Sequence, residues 1–179
     1  METIIKLIYW TIMAIVALLF LVNLQNTIKA AAPQNRQMKA GLVWLQLLPL
    51  VGLVYSFIVA RKVSDTIVAE YRAKGQHLAR TKPTYSVGVT LAVFSIIVTV
   101  LSVYFGLTYG RVDTTTMSQE EVVAYTTRTD VMGITALMGI ASLLWFVFFI
   151  IYWVQAAGYK KKMKNLPDQL PDNSIFNHS

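Results

Sequence analysis

Four long apolar blocks, separated by segments that carry most of the charge, organise this 179-residue chain. The blocks run from Leu7 to Val22, from Gly41 to Ala60, from Tyr85 to Gly110 and from Val131 to Tyr159. Because about 20 helical residues cross a hydrocarbon core about 30 Å thick, the last three blocks are long enough as they stand. The first is long enough when Ile4 and Ile5 join it. The pattern predicts transmembrane helices over residues 4–23, 41–60, 85–110 and 131–159.

The composition agrees with a membrane protein. Hydrophobic residues make up 55% of the chain and charged residues 14%, whereas a soluble domain has roughly 25% charged residues. We therefore expect an all-α fold, an integral membrane four-helix bundle over residues 1–159, followed by a basic, disordered cytoplasmic tail over residues 160–179. A cleaved signal peptide is the rival interpretation of the first block, but no small-x-small cleavage site directly follows it.

Lys and Arg residues predict the orientation of these spans. With four crossings, the N-terminus, the loop 61–84 and the C-terminal tail share one side, which carries eleven cations against five on the other. The positive-inside rule then places both termini in the cytoplasm. Three cations of the first loop run against this bias: Lys29, Arg36 and Lys39.

The net charge of +7 requires no nucleic-acid partner, because anionic membrane lipids attract basic residues next to a span. We expect this lipid contact from four lysines of the tail: Lys160, Lys161, Lys162 and Lys164.

The third block contains a seam of small residues, spaced alternately four and three apart: Gly88, Ala92, Ser95, Thr99, Ser102 and Gly106. In lipid, such a seam lets a neighbouring helix approach closely, so we predict a helix-packing face. Its partner is either a helix of the same bundle, which we favour, or another subunit. The fourth block carries its own small cluster, Gly133, Ala136, Gly139 and Ser142, which predicts a tightly packed outer half.

The second block contains Pro49, which removes a backbone hydrogen bond and predicts a kinked span. Gln46 precedes it by almost one turn, and Asn23 ends the first span. These residues are candidates for a hinge or a small polar site. The favoured alternative is a static bend with an amide that bonds between helices.

Two segments outside the spans have helical patterns. The apolar positions of Arg61 to Gly75 predict either an extension of the second helix as a solvated stalk, which we favour, or a helix along the membrane surface. Ser118 and Glu121 have the spacing of a capping box and predict a short external helix.

Chemistry-bearing residues are missing from the four apolar blocks, none of which contains Asp, Glu, Lys, Arg or His. Proton relays and ion-coupled transporters normally need such groups. The chain has no cysteine, and His77 and His178 are too isolated to form a metal site. We therefore expect no catalytic, cofactor or metal site, and a protein that is not an enzyme.

A signature near the second block resembles one in uncharacterised small multi-span inner-membrane proteins of Bacteroidetes-type bacteria. The pattern is Asn35-Arg36-x-Met38-x-x-Gly41-x-Val43-Trp44-Leu45-x-Leu47-x-Pro49, followed by Phe57, Ile58, Val59, Asp65, Glu70, Tyr71 and Arg72. Where this chain has Ala40, the family has proline. The resemblance implies a multi-pass protein of the bacterial inner membrane and carries no activity.

Three functional hypotheses follow. The first is a non-enzymatic accessory or structural subunit of a larger inner-membrane complex, with membrane lipids and other subunits, or further copies of the chain, as partners. The alternative is an oligomeric pore or facilitator for a small uncharged or lipid-like solute, using Gln46, Asn23 and the hydroxyls of the third helix. The third is a lipid-acting enzyme built from Arg36, Asp65 and Glu70, which four spans would place on opposite sides of the bilayer.

Overall fold

The computed structural model describes residues 2–110 and 116–167, and these residues are all-helical. They form five α-helices: α1 (Glu2–Lys29), α2 (Val51–Ala73), α3 (Tyr85–Thr108), α4 (Gln119–Thr126) and α5 (Thr129–Lys164). Two 3-10 helices, Pro33–Asn35 and Ala40–Leu47, lie between α1 and α2. Among the described residues, three segments are long and apolar enough to cross a membrane: Thr3–Lys29, Tyr85–Thr108 and Thr129–Lys164.

Helices α1 and α5 run parallel. The Phe20 ring packs on Phe149 with centroids 4.7 Å apart. Further along both helices, the Asn23 side chain donates to the Trp153 carbonyl and the Thr27 hydroxyl donates to the Ala156 carbonyl. Residue numbers rise together along this contact, so the first residue of α1 and the last residue of α5 lie at opposite ends of the bundle.

Helix α3 runs antiparallel to α5, since Phe94 stacks on Phe148 while the Tyr109 hydroxyl donates to the Asp130 carboxylate. One end of the bundle therefore combines the C-terminal ends of α1, α2 and α5 with the N-terminal end of α3. We call it the basic end. The opposite end, with the start of α1, the end of α3 and the start of α5, is the far end.

The segment between α1 and the middle of α2 folds back on itself. Glu70 pairs with Asn35, Thr66 accepts from the Gln37 backbone, and Ser56 donates to Gln46. Residue numbers fall along α2 as they rise along residues 35–46, which is the pattern of an antiparallel pair. The 3-10 helix Ala40–Leu47 thus enters the bundle from the basic end, and α2 returns to that end. We call residues 40–73 the hairpin.

The hairpin turns at Leu48, Pro49 and Leu50. Leu48 is extended, as expected before a proline, and Leu50 has a φ of 59°, outside the usual range for a residue with a side chain. The Gly52 backbone N–H donates to the Leu48 carbonyl at 2.7 Å, so the turn satisfies its own backbone. A methyl group at Gly52 would overlap the Gln46 carbonyl oxygen, which explains why this position has no side chain.

The hairpin corrects the prediction for residues 41–60. These residues form a 3-10 helix, a turn and the first half of α2 rather than one kinked helix. Pro49 therefore reverses the chain instead of bending a span. Hydropathy does not distinguish this hairpin from a single kinked helix, because both arms of the hairpin are apolar near its tip.

The second half of α2 is helical as predicted, but the prediction of a solvated stalk is wrong. Val63, Ile67 and Tyr71 are buried, and the Tyr71 ring contacts Tyr159 of α5. The helix ends before Gly75, whose φ of 62° suits a residue without a side chain. This half of α2 is part of the main apolar core, which lies towards the basic end.

The far half of the bundle is open in the described residues. Gly133, Ala136, Gly139 and Ser142 of α5 are exposed, and neither Gly133 nor Gly139 would meet another atom within 4 Å if it carried a methyl group. The prediction of a tightly packed outer half of this helix is therefore wrong. The short helix α4 begins with the predicted capping box, in which the Glu121 side chain accepts from the Ser118 N–H and Ser118 accepts from the Glu121 N–H. These hydrogen bonds also lower the pKa of the Glu121 carboxyl.

Substitution of Gly52 by alanine is expected to destabilise the hairpin by about 1–3 kcal/mol, because the added methyl forces the turn apart. Thermal unfolding of the purified protein in detergent, followed by circular dichroism, measures the effect. Gly41→Ala is the matched control, since a methyl there meets nothing within 4 Å. Equal melting temperatures for both variants would contradict the tight turn.

Candidate functional site

The segment between α1 and the hairpin is held by residues of the sequence signature. The Asn35 side chain and the Ala32 backbone N–H both donate to the same carboxylate oxygen of Glu70, at 2.8 and 2.9 Å. Arg36 turns the other way and donates to the Ala31 and Lys29 carbonyls at 2.9 and 3.0 Å. A cation at the C-terminal end of a helix satisfies carbonyls that have no partner within the helix.

Glu70 is the centre of this arrangement, with 2% of its surface exposed. Its second oxygen lies 3.6 Å from the Lys74 ammonium. One turn earlier on α2, the Thr66 hydroxyl accepts from the Gln37 backbone N–H at 3.1 Å. A buried carboxylate is tolerated only when donors and a cation surround it, as they do here. We call Glu70, Asn35, Thr66 and Lys74 the clamp.

Sequence reasoning named Glu70 as a late position of the signature and as a candidate residue of a lipid-acting enzyme, and it gave Glu70 no structural role. A signal was present, because Glu70 follows Ile67 by three residues and Val63 by seven, which places it on the buried face of α2.

The other signature residues anchor the first arm of the hairpin. Trp44 donates from its indole nitrogen to the Gln25 side chain of α1 at 3.2 Å, and Met38 packs against the core. Gly41 is exposed and makes no close contact. Trp44 therefore positions the arm against α1.

The polar candidates of the predicted spans do not form one site. Gln46 lies near the hairpin tip, accepts from Ser56 and donates to the Val43 carbonyl. Asn23 lies nearer the basic end, where it donates to the Trp153 carbonyl and accepts from Lys160 at 3.0 Å. Each amide thus links two elements of the chain: Asn23 joins α1 to α5, and Gln46 joins the two arms of the hairpin.

The four lysines at the end of α5 are not equivalent. Lys160 is half-buried and donates to Asn23, whereas Lys161, Lys162 and Lys164 are exposed. The Lys162 ammonium also lies 5.4 Å from the centre of the Tyr159 ring. For the three exposed lysines, contact with anionic lipids stays a prediction.

The seam of α3 divides into two halves. Gly88 faces Ala60 and Tyr152 so closely that a methyl at Gly88 would lie 2.7 Å from the Ala60 Cβ. Ala92 is buried, and the Trp145 indole donates to the Ser95 hydroxyl at 2.7 Å. The half towards the basic end therefore packs within the chain. Ser102 and Gly106, in the half towards the far end, are exposed.

A cavity of about 470 Å³ lies beneath the hairpin tip. The tip itself, the middle of α1 from Met13 to Leu21, and the middle parts of α3 and α5 line it. Its surface is mainly apolar. The polar side chains that line it are Gln46, Ser56, Ser95, Thr99, Trp145 and Tyr152.

The residues considered for lipid-acting catalysis lie on different faces of the same end. Arg36 and Glu70 both belong to the basic end, so the objection that they are on opposite sides of a bilayer does not hold. Asp65, however, pairs with Arg61 on the outer face of α2 at 3.7 Å, and both oxygens of Glu70 are engaged in the clamp. Among the described residues, no group of three or more His, Asp or Glu could hold a metal ion.

Replacement of Glu70 by alanine is expected to cost about 3–5 kcal/mol, because it removes the buried acceptor of the partly buried Asn35 and Ala32 donors and the partner of Lys74. The same unfolding assay in detergent measures the loss. Asp65→Asn, which changes a partly exposed carboxylate on the same helix, should stay within about 0.5 kcal/mol of the original protein. If the two variants were equally stable, the clamp would have no structural role.

The described residues thus contain a clamp at the basic end, a cavity under the hairpin and an open half-seam towards the far end. The comparisons of this chain with protein-family models, with curated proteins and with solved structures found no match. The likeness to the Bacteroidetes-type signature stays a prediction, and function has to be argued from these three features.

Proposed function

We propose that this chain is a non-enzymatic accessory or structural subunit of a larger bacterial inner-membrane complex. The observation that carries the proposal is the open half of the α3 seam, Ser102 and Gly106, whose other half is a packed helix contact. Small residues let helix backbones approach closely in lipid, where burial of apolar side chains supplies little attraction. A seam that is half covered by its own chain is suited to a second helix along the rest of its length.

Two further observations support a partner at the far half. Gly133 and Ala136 of α5 are also exposed small residues, and the antiparallel pairing of α3 with α5 sets them near the level of Gly106. Of the most apolar window of α1, only 11% is buried within the chain. The far half therefore offers helix surface to neighbours, whereas the basic end is internally packed.

The alternative role as a facilitator has weaker support. It requires polar groups along one path, but Asn23 and Gln46 are bonded separately to other parts of the chain. The accessory role requires only the open surfaces.

For the topology, we propose three spans, α1, α3 and α5, with the hairpin as a re-entrant segment in place of the predicted second span. The hairpin tip and the middle of α1 line the same cavity, and both arms of the hairpin return to the basic end. Irregular backbone at membrane depth is tolerated when protein surrounds it, and the Ala40–Leu47 arm lies against α1 and α2.

Charge supports this arrangement and orients it. By chain position, only Lys6, Arg111 and Arg128 of the 16 Lys and Arg residues belong to the far end. The other 13 belong to the basic end, including the three first-loop cations that contradicted the four-span prediction. We infer a cytoplasmic basic end, with the N-terminus on the outer face and the C-terminus in the cytoplasm, instead of both termini in the cytoplasm.

Single cysteines introduced into this cysteine-free chain test the topology. A membrane-impermeant thiol reagent added to intact cells is expected to label Glu120→Cys and to leave Lys39→Cys and His77→Cys unlabelled until the cells are permeabilised. In the four-span arrangement, Lys39→Cys would share a side with Glu120→Cys. If Lys39→Cys and Glu120→Cys were both labelled from outside while His77→Cys stayed protected, the four-span topology would be correct instead.

Purification of the tagged full chain in mild detergent tests the accessory role. We expect a stoichiometric membrane-protein partner that is lost from the double variant Gly106→Leu, Gly133→Leu, because leucine at both positions holds a neighbouring backbone away. Gly158→Leu is the matched control, since Gly158 is also open but lies near the basic end. A protein that always purifies alone, or a partner that both variants retain, would count against the proposal.

A further inference from the structure

A second pocket, with a volume of about 460 Å³, lies at the basic end. It is formed by the last turns of α2 and by the segment that joins α2 to α3, residues 74–84. Part of its wall is apolar and consists of Val68, Tyr71 and Leu78. The other residues that line it are Arg72, Gly75, Gln76, His77, Arg80 and Thr81. We call it the loop pocket.

Positive charge dominates this part of the chain. Residues 71–112 contain no Asp or Glu, whereas residues 72–82 contain two arginines, two lysines and one histidine. The two lysines already have contacts within the chain. Lys74 lies beside the buried carboxylate of Glu70, and the Lys82 ammonium lies over an aromatic ring, 5.2 Å from its centre.

The guanidinium groups of Arg72 and Arg80 are the uncommitted charges of the loop pocket. Both residues line it and are exposed, and neither has a hydrogen bond or an ion pair within the part of the chain that the structure describes. A guanidinium group presents a planar fork of N–H donors, which binds the oxygens of a phosphate or a carboxylate through two parallel hydrogen bonds. Two such forks at one pocket favour a group with several anionic oxygens.

The turn at Gly75 reduces the negative character that the end of α2 would otherwise give to the pocket. Free carbonyls at the C-terminal end of a helix carry a partial negative charge. Here the Gly75 N–H donates to the Arg72 carbonyl at 3.1 Å, and the Gln76 N–H donates to the Tyr71 carbonyl at 2.9 Å. The turn thus satisfies these carbonyls, as a glycine cap commonly does. The arginine side chains therefore determine the sign of the charge that a ligand meets.

We propose that the loop pocket binds a phosphate group that is part of a larger molecule, and that Arg72 and Arg80 pair with this phosphate. The pocket is much larger than one phosphate ion, and its volume lies within the usual range of small-molecule sites, roughly 300–1,000 Å³. Its apolar wall offers a surface to the uncharged remainder of the ligand.

The place of the pocket in the fold favours the headgroup of an anionic phospholipid as the source of this phosphate. Helix α3 begins at Tyr85, four residues after Thr81, and it is long and apolar enough to cross a membrane. The pocket therefore lies next to the level of the headgroups, where basic pockets bind anionic lipids. A soluble phosphate ester is the other source of the same chemistry.

The inference is independent of the accessory role. The three-span topology proposed above and the four-span prediction both place residues 74–84 in the cytoplasm. The open half-seam lies at the far end, so loss of a protein partner and loss of a phosphate ligand are separate results.

Native mass spectrometry of the full chain, released from a neutral detergent, counts bound ligands directly. Three ligands are titrated at constant ionic strength: phosphatidylglycerol, phosphatidylcholine, whose phosphate is neutralised by its own choline, and glycerol 3-phosphate. We expect one phosphatidylglycerol molecule per chain to bind with saturation, at lower concentrations than either of the other two. Glycerol 3-phosphate that binds as tightly as phosphatidylglycerol would support the pocket and identify a soluble ester as the source.

The double variant Arg72→Gln, Arg80→Gln tests the pocket itself. It should weaken binding of the identified ligand by about fivefold per arginine, because each basic residue contributes about this factor to the attraction of an anionic lipid. The matched control is Lys161→Gln, Lys164→Gln, which removes the same charge from exposed residues of the basic end that do not line the pocket. This control should weaken the saturable binding by less than about twofold.

Two results would overturn the proposal. One is equal weakening in the two double variants, because the ligand would then follow the total charge of the basic end. The other is the absence of any saturable binding, or equal binding of phosphatidylglycerol and phosphatidylcholine. If the arginine double variant melts at a lower temperature than the original protein without ligand, the single variants Arg72→Gln and Arg80→Gln carry the same test, each with about a fivefold loss expected.

Discussion

A polypeptide that reverses direction inside an apolar environment has to satisfy its backbone polar groups within the protein, and the hairpin depends on this constraint. Several local features meet it. Pro49 has no N–H to satisfy, the Gly52 N–H bonds to the Leu48 carbonyl, and the 3-10 bonds of residues 40–47 satisfy most of the entering arm. Since Gly52 lies against the Gln46 carbonyl, the turn leaves no room for a side chain there.

The clamp likewise satisfies backbone polar groups, at the end of the hairpin opposite its tip. Residues 30–39 contain only the short 3-10 helix Pro33–Asn35, and the N–H groups of Ala32 and Gln37 bond to side chains of α2 instead of the local backbone. Glu70 provides an acceptor for Ala32, Thr66 provides one for Gln37, and Arg36 covers the carbonyls at the end of α1. A carboxylate is suited to this position because it accepts from several donors at once, and Lys74 offsets its charge.

The sequence alone predicted those elements whose signals are local. The first, third and fourth apolar blocks correspond to α1, α3 and α5, the Ser118 capping box begins α4, and Gly75 follows the end of α2. The second block was misread because hydropathy records how apolar a segment is and not whether it returns. The three cations of the first loop were the available sign, because they agree with the positive-inside rule in the proposed three-span topology and not in the four-span one.

The site residues could be predicted less well, because their contacts join distant parts of the chain. The pairing of Asn35 with Glu70 spans 35 residues, and that of Asn23 with Lys160 spans 137. The small-residue seam was visible as a spacing, but its division into a packed and an open half depends on where the hairpin ends. The hairpin reaches only the middle of the bundle, where its Ala60 packs on Gly88, and Ser102 and Gly106 beyond it are exposed. The same limited reach creates the cavity, because beyond the tip no element of the hairpin fills the space between α1 and α3. The hairpin therefore determines both the cavity and the extent of helix surface that stays exposed.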